Sequence, residues 1–155
     1  MTYVERTLLA LSRKESVELL SRSHVGRVVF TDRALPAVAA VPFAYHRDCL
    51  VLHTFGDDRL ASAVARSNIL AFEIDDFDPT TRTGWSVVVQ GEPAVATDVE
   101  ERADIERVLG AWAPGHDDVC IRLPLTIVTG RRIERSTQTP TGSDSCRALL
   151  GDGSL

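Results

Sequence analysis

The pattern of apolar and polar positions is clearest in the segment 35–59. Two apolar runs, residues 37–45 and residues 49–54, lie on either side of a polar triplet at 46–48. Apolar runs of this length that are separated by a polar turn are typical of a β-hairpin that is buried on at least one face. The sequence therefore predicts two paired strands in this segment.

Four further segments have the β-branched or alternating composition of strands. They are residues 25–31, 69–75, 84–97 and 119–134. The third is expected to bend near Gly91 and Pro93, because glycine within a strand often marks a bulge and proline removes a ladder donor. The fourth contains Pro124, so it is interpreted as one long strand or as a strand pair. Residues 1–11 are interpreted as an N-terminal lead-in.

Helical spacing and capping residues predict three helices. Ser12 and Glu15 have the form of a capping box before a helix at 13–22, a second helix is expected at 58–67, and Asp98 is a suitable N-cap for a third at 98–112. The third helix carries an apolar stripe, which is typical of a helix that docks on a core. That stripe consists of Val99, Ile105, Val108, Leu109 and Trp112.

The order of these elements predicts a mainly β protein. About six strands are joined by short turns, and the helices do not alternate regularly with them, which favours a small, mainly antiparallel barrel with two to three covering helices. We expect one domain at residues 1–136 and a flexible C-terminal tail at 137–155, where serine, threonine, glycine and proline dominate.

Composition excludes several functional classes. The chain has 155 residues, a net charge of −5 and no long basic run, so nucleic acid is not an expected partner. Its apolar runs are shorter than the ~20 residues that a membrane span needs, so no membrane partner is expected. Three scattered cysteines without a C-x-x-C motif favour a reduced, cytoplasmic location. Residues 116–118 lack a fourth ligand, and no metal site is predicted.

The end of the hairpin has features of a phosphate site. His53 and Thr54 end the second strand, a Gly-Asp-Asp loop follows, and Arg59 begins the predicted helix. A helix N-terminus together with a cation can bind a phosphate. The alternative interpretation is that Arg59 pairs with Asp57 or Asp58 in solvent, and that His53 is a structural group.

Five short motifs occur in the order expected of one protein family. They are SRKE at 12–15, VGRV at 25–28, LPAV at 35–38, LHT at 52–54 with an arginine at 59, and GWSVVVQG at 84–91. Together they make the chain similar to the pyridoxamine 5′-phosphate oxidase-like family of flavin-binding split barrels, and particularly to its short bacterial members. The resemblance covers residues 12–97 and continues less clearly to 134.

The resemblance implies a six-stranded split β-barrel that works as a homodimer, with flavin mononucleotide (FMN) in a cleft between subunits. It implies that the strand containing Val38, Ala39, Ala40, Val41 and Pro42 lies beside the flavin ring. His53, Thr54 and Arg59 would face the phosphate, and Trp85 and Ser86 would add stacking and polar contacts near the ring. Trp85 could instead be an aromatic residue of the dimer interface. Gln90 is a further candidate on the same strand, and it could instead face water.

The chain departs from the family pattern at two places. Asp57 and Asp58 precede Arg59, and they would either repel a phosphate or cap the helix and point away from it. The strand at 37–40 also lacks the arginine of true oxidases, which argues against pyridoxamine phosphate as the substrate.

The expected function is that of an oxidoreductase. An electron donor would reduce FMN, and FMN would pass hydride or electrons to a small-molecule substrate. No catalytic residue is identified. The alternatives are a deazaflavin-dependent reductase of the same fold, for which Arg27 and Arg82 would supply extra cations, and a non-catalytic flavin- or ligand-binding module. A ligand-free dimerisation module is the remaining possibility.

Overall fold

The computed structural model describes residues 4–66 and 68–137 of the chain. It contains three helices, α1 (Arg13–Arg22), α2 (Asp58–Ala65) and α3 (Val99–Leu109), and α3 continues into a 3₁₀ turn at Gly110–Trp112. Ser12 caps α1 by accepting a hydrogen bond from the backbone N–H of Glu15, and Asp98 caps α3 through Glu100. The predicted caps of these two helices are therefore confirmed.

Within the described residues, nine strands form one curled antiparallel sheet. They are β1 (Val4–Leu11), β2 (Val25–Asp32), β3 (Leu35–His46), β4 (Cys49–His53), β5 (Leu70–Asp78), β6 (Thr83–Gly91), β7 (Ala94–Val95), β8 (Cys120–Pro124) and β9 (Ile127–Thr137). Their spatial order is β1-β9-β6-β5-β2-β3-β4-β8-β7. The architecture is mainly β and consistent with a split barrel, but the predicted count of six strands is wrong.

Three local features account for the additional strands. The predicted lead-in contains the strand β1. Its first residues are polar and do not indicate a strand, but it pairs along its whole length with β9. The predicted strand at 84–97 divides at Pro93 into β6, which pairs with β5 and β9, and β7, which pairs with β8. The predicted strand at 119–134 divides after Pro124 into β8 and β9.

The central hairpin is confirmed as β3 and β4. Its two turn residues, Arg47 and Asp48, have φ values of 50° and 59°, as a two-residue hairpin turn with the right-handed twist of its strands requires. The predicted helix at 58–67 ends at Ala65, and Ser67 lies outside the described residues. The predicted tail also lies outside them, apart from Thr137, which ends β9.

The core has two parts. The larger one fills the curl of the sheet beneath α1 and α2, and its fully buried side chains include Leu20, Val28, Leu60 and Phe72. The smaller one lies between α3 and the β4–β8 region and contains Ile105 and Leu109. Only part of the predicted α3 stripe is buried, because Val99 is 81% exposed and Trp112 is 50% exposed. Across the described ranges, the longest helices fall short of what a bilayer crossing requires.

Gly26 gives a direct test of how tightly β2 packs on β5. A Cβ atom at this position would overlap the ring of Phe72 and would lie 2.9 Å from the carbonyl oxygen of Glu73. Overpacking of this kind costs about 1–3 kcal/mol. We therefore expect Gly26→Ala to lower the free energy of unfolding by that amount in urea denaturation.

The compensating change is Phe72→Leu, which removes the ring that the new methyl group meets. The double variant should lose less stability than the sum of the two single variants. Strict additivity of the two losses, or an unchanged midpoint for Gly26→Ala, would contradict the close approach of β2 and β5.

Candidate functional site

The sheet has an inner face on the core and an outer face, and the predicted ring-binding segment 38–42 is divided between them. In the register of β3 with β2, Val38 pairs with Val29 and Ala40 pairs with Arg27. Val38 and Ala40 are exposed on the outer face, and Val38 is 57% exposed. Ala39 packs against the inner core.

The last two residues of this segment are buried. Val41 belongs to the main core, and Pro42 is enclosed beside Val25, its partner in the register. Side-chain contact with a ligand on the outer face is therefore open to Val38 and Ala40 alone within the segment. Contact between a ligand and the backbone of Ala39, Val41 and Pro42 remains a prediction.

The same division applies to the predicted residues of β6. Ser86 pairs with Asp75 and Gln90 pairs with Ala71 on the outer face. Trp85 points to the other face, where it packs against the main core. The structure thus places Ser86 and Gln90 on the same face as Val38 and Ala40 but separates Trp85 from them.

Two adjacent rows of side chains cross the outer face in register. The first runs through the pairs Val38–Val29, Val29–Ala71, Ala71–Gln90 and Gln90–Ile127, and the second through Ala40–Arg27, Arg27–Glu73, Glu73–Val88 and Val88–Thr129. Most of these side chains are small or apolar. We refer to these ten residues as the outer-face patch.

Arg27 and Glu73, the two charged groups of the patch, form an ion pair that Asp75, beside the patch, shares. The guanidinium Nη1 of Arg27 lies 3.0 Å from Glu73 Oε2 and 3.0 Å from Asp75 Oδ2. Burial and the nearby carboxyl group of Asp75 raise the pKa of Glu73, and Arg27 opposes this effect. Arg27 is consequently engaged by two carboxylates, and it is not a spare cation for a strongly anionic ligand.

His53 and Thr54 lie apart from the patch, at the end of β4, and both are buried. The His53 Nδ1 atom accepts a hydrogen bond from the backbone N–H of Phe55 at 3.0 Å, so its Nε2 atom carries the proton and donates to the Trp112 carbonyl at 2.9 Å. Thr54 pairs with the backbone of Val119 through its own amide and its hydroxyl, both at 3.1 Å. Their polar atoms are satisfied within the chain, and their contact with a ligand stays a prediction.

An aromatic pair lies next to His53. Phe55 and Trp112 are each about half exposed, and their ring centroids are 6.4 Å apart. Phe55 has a φ of 49°, in the left-handed region that is uncommon for a bulky residue. Since His53 bonds to the backbone of both residues, one imidazole holds the two aromatic residues in place.

Asp118 is a residue whose role the sequence did not reveal. Its carboxylate accepts backbone hydrogen bonds from Gly56 and Gly115, both at 2.8 Å, and its Oδ1 atom lies 3.3 Å from the Thr54 hydroxyl. Arg102 fixes the same loop by donating to the carbonyl groups of Gly115 and Asp118 at 2.9 Å. Asp118 therefore ties the loop after β4 to the loop before β8.

Asp118 is held in its ionised form. Burial raises its pKa, but the hydrogen bonds from Gly115 and Gly56 outweigh burial, and the net pKa is lowered. The sequence signal for this role was the aspartate three residues after Gly115 in a proline-glycine loop, which is the pattern of a side chain that bonds back to its own turn.

The N-terminus of α2 is capped by Asp57. Its Oδ1 atom accepts from the backbone N–H groups of Arg59 at 3.0 Å and Leu60 at 3.2 Å, and its Oδ2 atom lies 3.3 Å from Arg59 Nη2. Burial opposes ionisation of Asp57, but the hydrogen bonds from Arg59 and Leu60 lower its pKa overall. Of the two sequence interpretations of this carboxylate, the structure shows the helix cap.

The structure thus forms two groups from the predicted residues. Val38, Ala40, Ser86 and Gln90 share the outer face, whereas His53, Thr54 and Arg59 lie between the end of β4 and the first turn of α2. The first group combines two apolar side chains with two polar ones. Beside the second group, Asp57 accepts hydrogen bonds from the backbone N–H groups of Arg59 and Leu60, and Asp118 accepts one from Gly56.

The lowered pKa of Asp118 predicts how stability depends on pH. A group whose pKa is lower in the folded state stabilises the fold above its unfolded pKa of about 3.9. Its contribution is lost as the pH falls through the lower folded value. Asp118→Asn should cost about 1–3 kcal/mol of unfolding free energy at pH 7, and it should flatten the loss of stability between about pH 5 and pH 3.

The matched control is Asp117→Asn, which removes the same charge from a neighbouring side chain that is fully exposed. It should leave both the stability at pH 7 and the acid slope unchanged. Chemical denaturation across this pH range checks the prediction, and equal behaviour of the two variants would contradict the role of Asp118.

The chain is similar in sequence to a known protein family and to a mycobacterial protein. A family model described as pyridoxamine 5′-phosphate oxidase matches residues 12–132. The uncharacterized protein Rv0080 of Mycobacterium tuberculosis is 37% identical over 139 residues, which cover 87% of this chain and 91% of that protein.

Two solved structures have the same fold. The FAD-binding protein of Mycobacterium smegmatis is 29% identical, with a TM-score of 0.64, and the match covers 79% of this chain and 95% of that one. A FAD-binding protein of Mesorhizobium loti is 19% identical, with a TM-score of 0.71 and coverage of 84% and 99%; at this identity the likeness concerns the fold alone. The chain belongs to the pyridoxamine 5′-phosphate oxidase family.

Proposed function

We propose that this protein is a flavin-dependent oxidoreductase whose flavin ring lies on the outer-face patch. The observation that supports this most is the alignment of Val38 and Ala40 with Ser86 and Gln90 on one exposed face. Small side chains on β3 allow a flat ring to approach the backbone closely, and the polar side chains on β6 offer hydrogen bonds to its edge. The FAD-binding name of the 29%-identical Mycobacterium smegmatis protein agrees with a flavin ligand.

A second copy of the chain would complete the site. The outer face exposes five large apolar side chains that a monomer would leave in water, namely Leu8, Val25, Val38, Phe77 and Ile127. Exposed apolar residues on one surface favour an interface. A homodimer that covers this face would also exclude water from a ring that lies on it.

A bound flavin would supply the hydride or electron chemistry. The contribution of the chain would be to orient the ring, to shield one side of it, and to offer hydrogen bonds from Ser86 and Gln90. FMN is the form that the sequence predicts, with a nicotinamide cofactor or another reductant as the electron donor. The ion pairs of Arg27 with Glu73 and Asp75 disfavour a deazaflavin with a more anionic tail.

The proposal predicts a flavin in the purified protein. Mass spectrometry of the released small molecule and its visible absorbance should identify about one flavin per chain, or the protein should bind one when it is added. Anaerobic reduction by a nicotinamide cofactor, followed by reoxidation by an added acceptor, would support an enzyme over a carrier. Failure to retain or to bind any flavin would contradict the proposal.

Substitution of an outer-face valine tests the dimer. Val38→Asp would bury a charge in the proposed interface, where an unpaired charge is costly, and we expect the dimer dissociation constant to rise at least about tenfold. The control is Val99→Asp, on an exposed valine of α3. Sedimentation equilibrium should show a dimer for the wild type and the control, and a monomeric wild type would contradict the interface.

A further inference from the structure

The donors that the sequence predicts for a cofactor phosphate are already bonded to a carboxylate of the chain. Asp57 occupies the backbone N–H groups of Arg59 and Leu60 and lies beside the Arg59 guanidinium. Backbone amides of this kind, together with a cation, are the groups through which a helix N-terminus binds an anion. A phosphate at this position would have to displace the Asp57 side chain.

The surroundings of this helix end reinforce the competition. The amide of Gly56 is directed at the carboxylate of Asp118, at 2.8 Å. Asp58 follows at the first position of the helix and is exposed. Between residues 54 and 60, Arg59 is the single cation, and it is paired with Asp57. A phosphate monoester, which carries −1.5 to −2 charges at pH 7, is repelled in such a setting.

We propose that Asp57 determines cofactor specificity in this chain by standing where a terminal phosphate would bind. The flavin is recognised through its ring and its uncharged tail, and a terminal phosphate monoester adds no affinity. This inference rests on the proposed flavin function, but it makes a separate statement about one carboxylate and one class of ligand.

The test compares riboflavin with FMN, which differ only in the terminal phosphate. The dissociation constants of the two flavins are measured by flavin fluorescence at one fixed ionic strength. For the wild-type protein, we expect the two constants to agree within about threefold. FMN affinity at least about tenfold above that of riboflavin would overturn the inference, because a charge-assisted phosphate contact has about that effect.

The diagnostic variant is Asp57→Ser, since serine also caps helices well and keeps α2 folded. It frees the Arg59 guanidinium and removes the competing charge, so FMN should become at least about tenfold tighter relative to riboflavin. Asp58→Ser is the matched control, with the same change of residue and charge one position later, and it should change the ratio by less than about threefold. Equal gains in the two variants would indicate a general charge effect and overturn the inference.

Arg59→Ala completes a double-mutant cycle. In the wild-type background it should change the FMN to riboflavin ratio by less than about threefold, because Arg59 is engaged by Asp57. In the Asp57→Ser background it should abolish the gain. A large effect of Arg59→Ala in the wild type would show that the arginine already binds the phosphate, contrary to the inference.

Inorganic phosphate provides a readout that does not depend on flavin. The thermal midpoints of the wild type, Asp57→Ser and Asp58→Ser are measured in phosphate and in chloride at the same ionic strength. Asp57→Ser should be stabilised by phosphate, whereas the wild type and Asp58→Ser should not. Should none of the proteins bind flavin, the proposed function fails, and this measurement alone decides the role of Asp57; equal responses of the three proteins would then reject it.

Discussion

The register of β2 between β3 and β5 is the constraint on which the rest of the structure depends. It places Val28 opposite Ala39 on the core side and Arg27 opposite Ala40 on the outer side. Because side chains alternate along a strand, a shift of one residue would exchange the two faces. The shape of the core, the exposure of Val38 and Ala40, and their alignment with β6 all follow from this single register.

A second constraint acts at the end of the sheet, where backbone donors need acceptors. The first turn of α2 presents amide groups that donate to the carboxylate of Asp57, and the loops after β4 and before β8 present amide groups that donate to Asp118. Hydrogen bonds from backbone amides to a charged carboxylate are stronger than those between neutral groups. The chain therefore stabilises this region with its own anions, and the same arrangement opposes an external anion. Stability and ligand preference are thus linked through two side chains.

Much of the fold follows from local signals. The hairpin of β3 and β4, helix α1 and the cap of α3 depend on neighbouring residues, and the sequence predicts them correctly. Local signals do not predict β1, because it forms a strand by pairing with β9, which lies more than a hundred residues later. The division at Pro93 is similar, since β6 and β7 are distinguished by which strands they pair with.

The candidate site is harder to predict, for a physical reason that its residues show. The run around Val38–Val41 is apolar throughout, so the sequence does not reveal which side chains face outward; only the register with β2 does. The environment of His53 depends on Trp112 and Asp118, which are about sixty residues away. Its position at the strand end suggested a ligand contact for His53, but its Nε2 atom is bonded to Trp112, a residue that local spacing does not bring near.

The measurement that tests the central claim most directly is methyl NMR of the protein during titration with riboflavin. Ring currents act over short distances, so a ring on the outer face should shift the methyl signals of Val38, Ala40 and Val88. The inward methyl groups of Val28, Val87 and Val89 should move much less. Shifts confined to the inward methyl groups, or to residues near Phe55 and Trp112, would contradict a flavin site on the outer face.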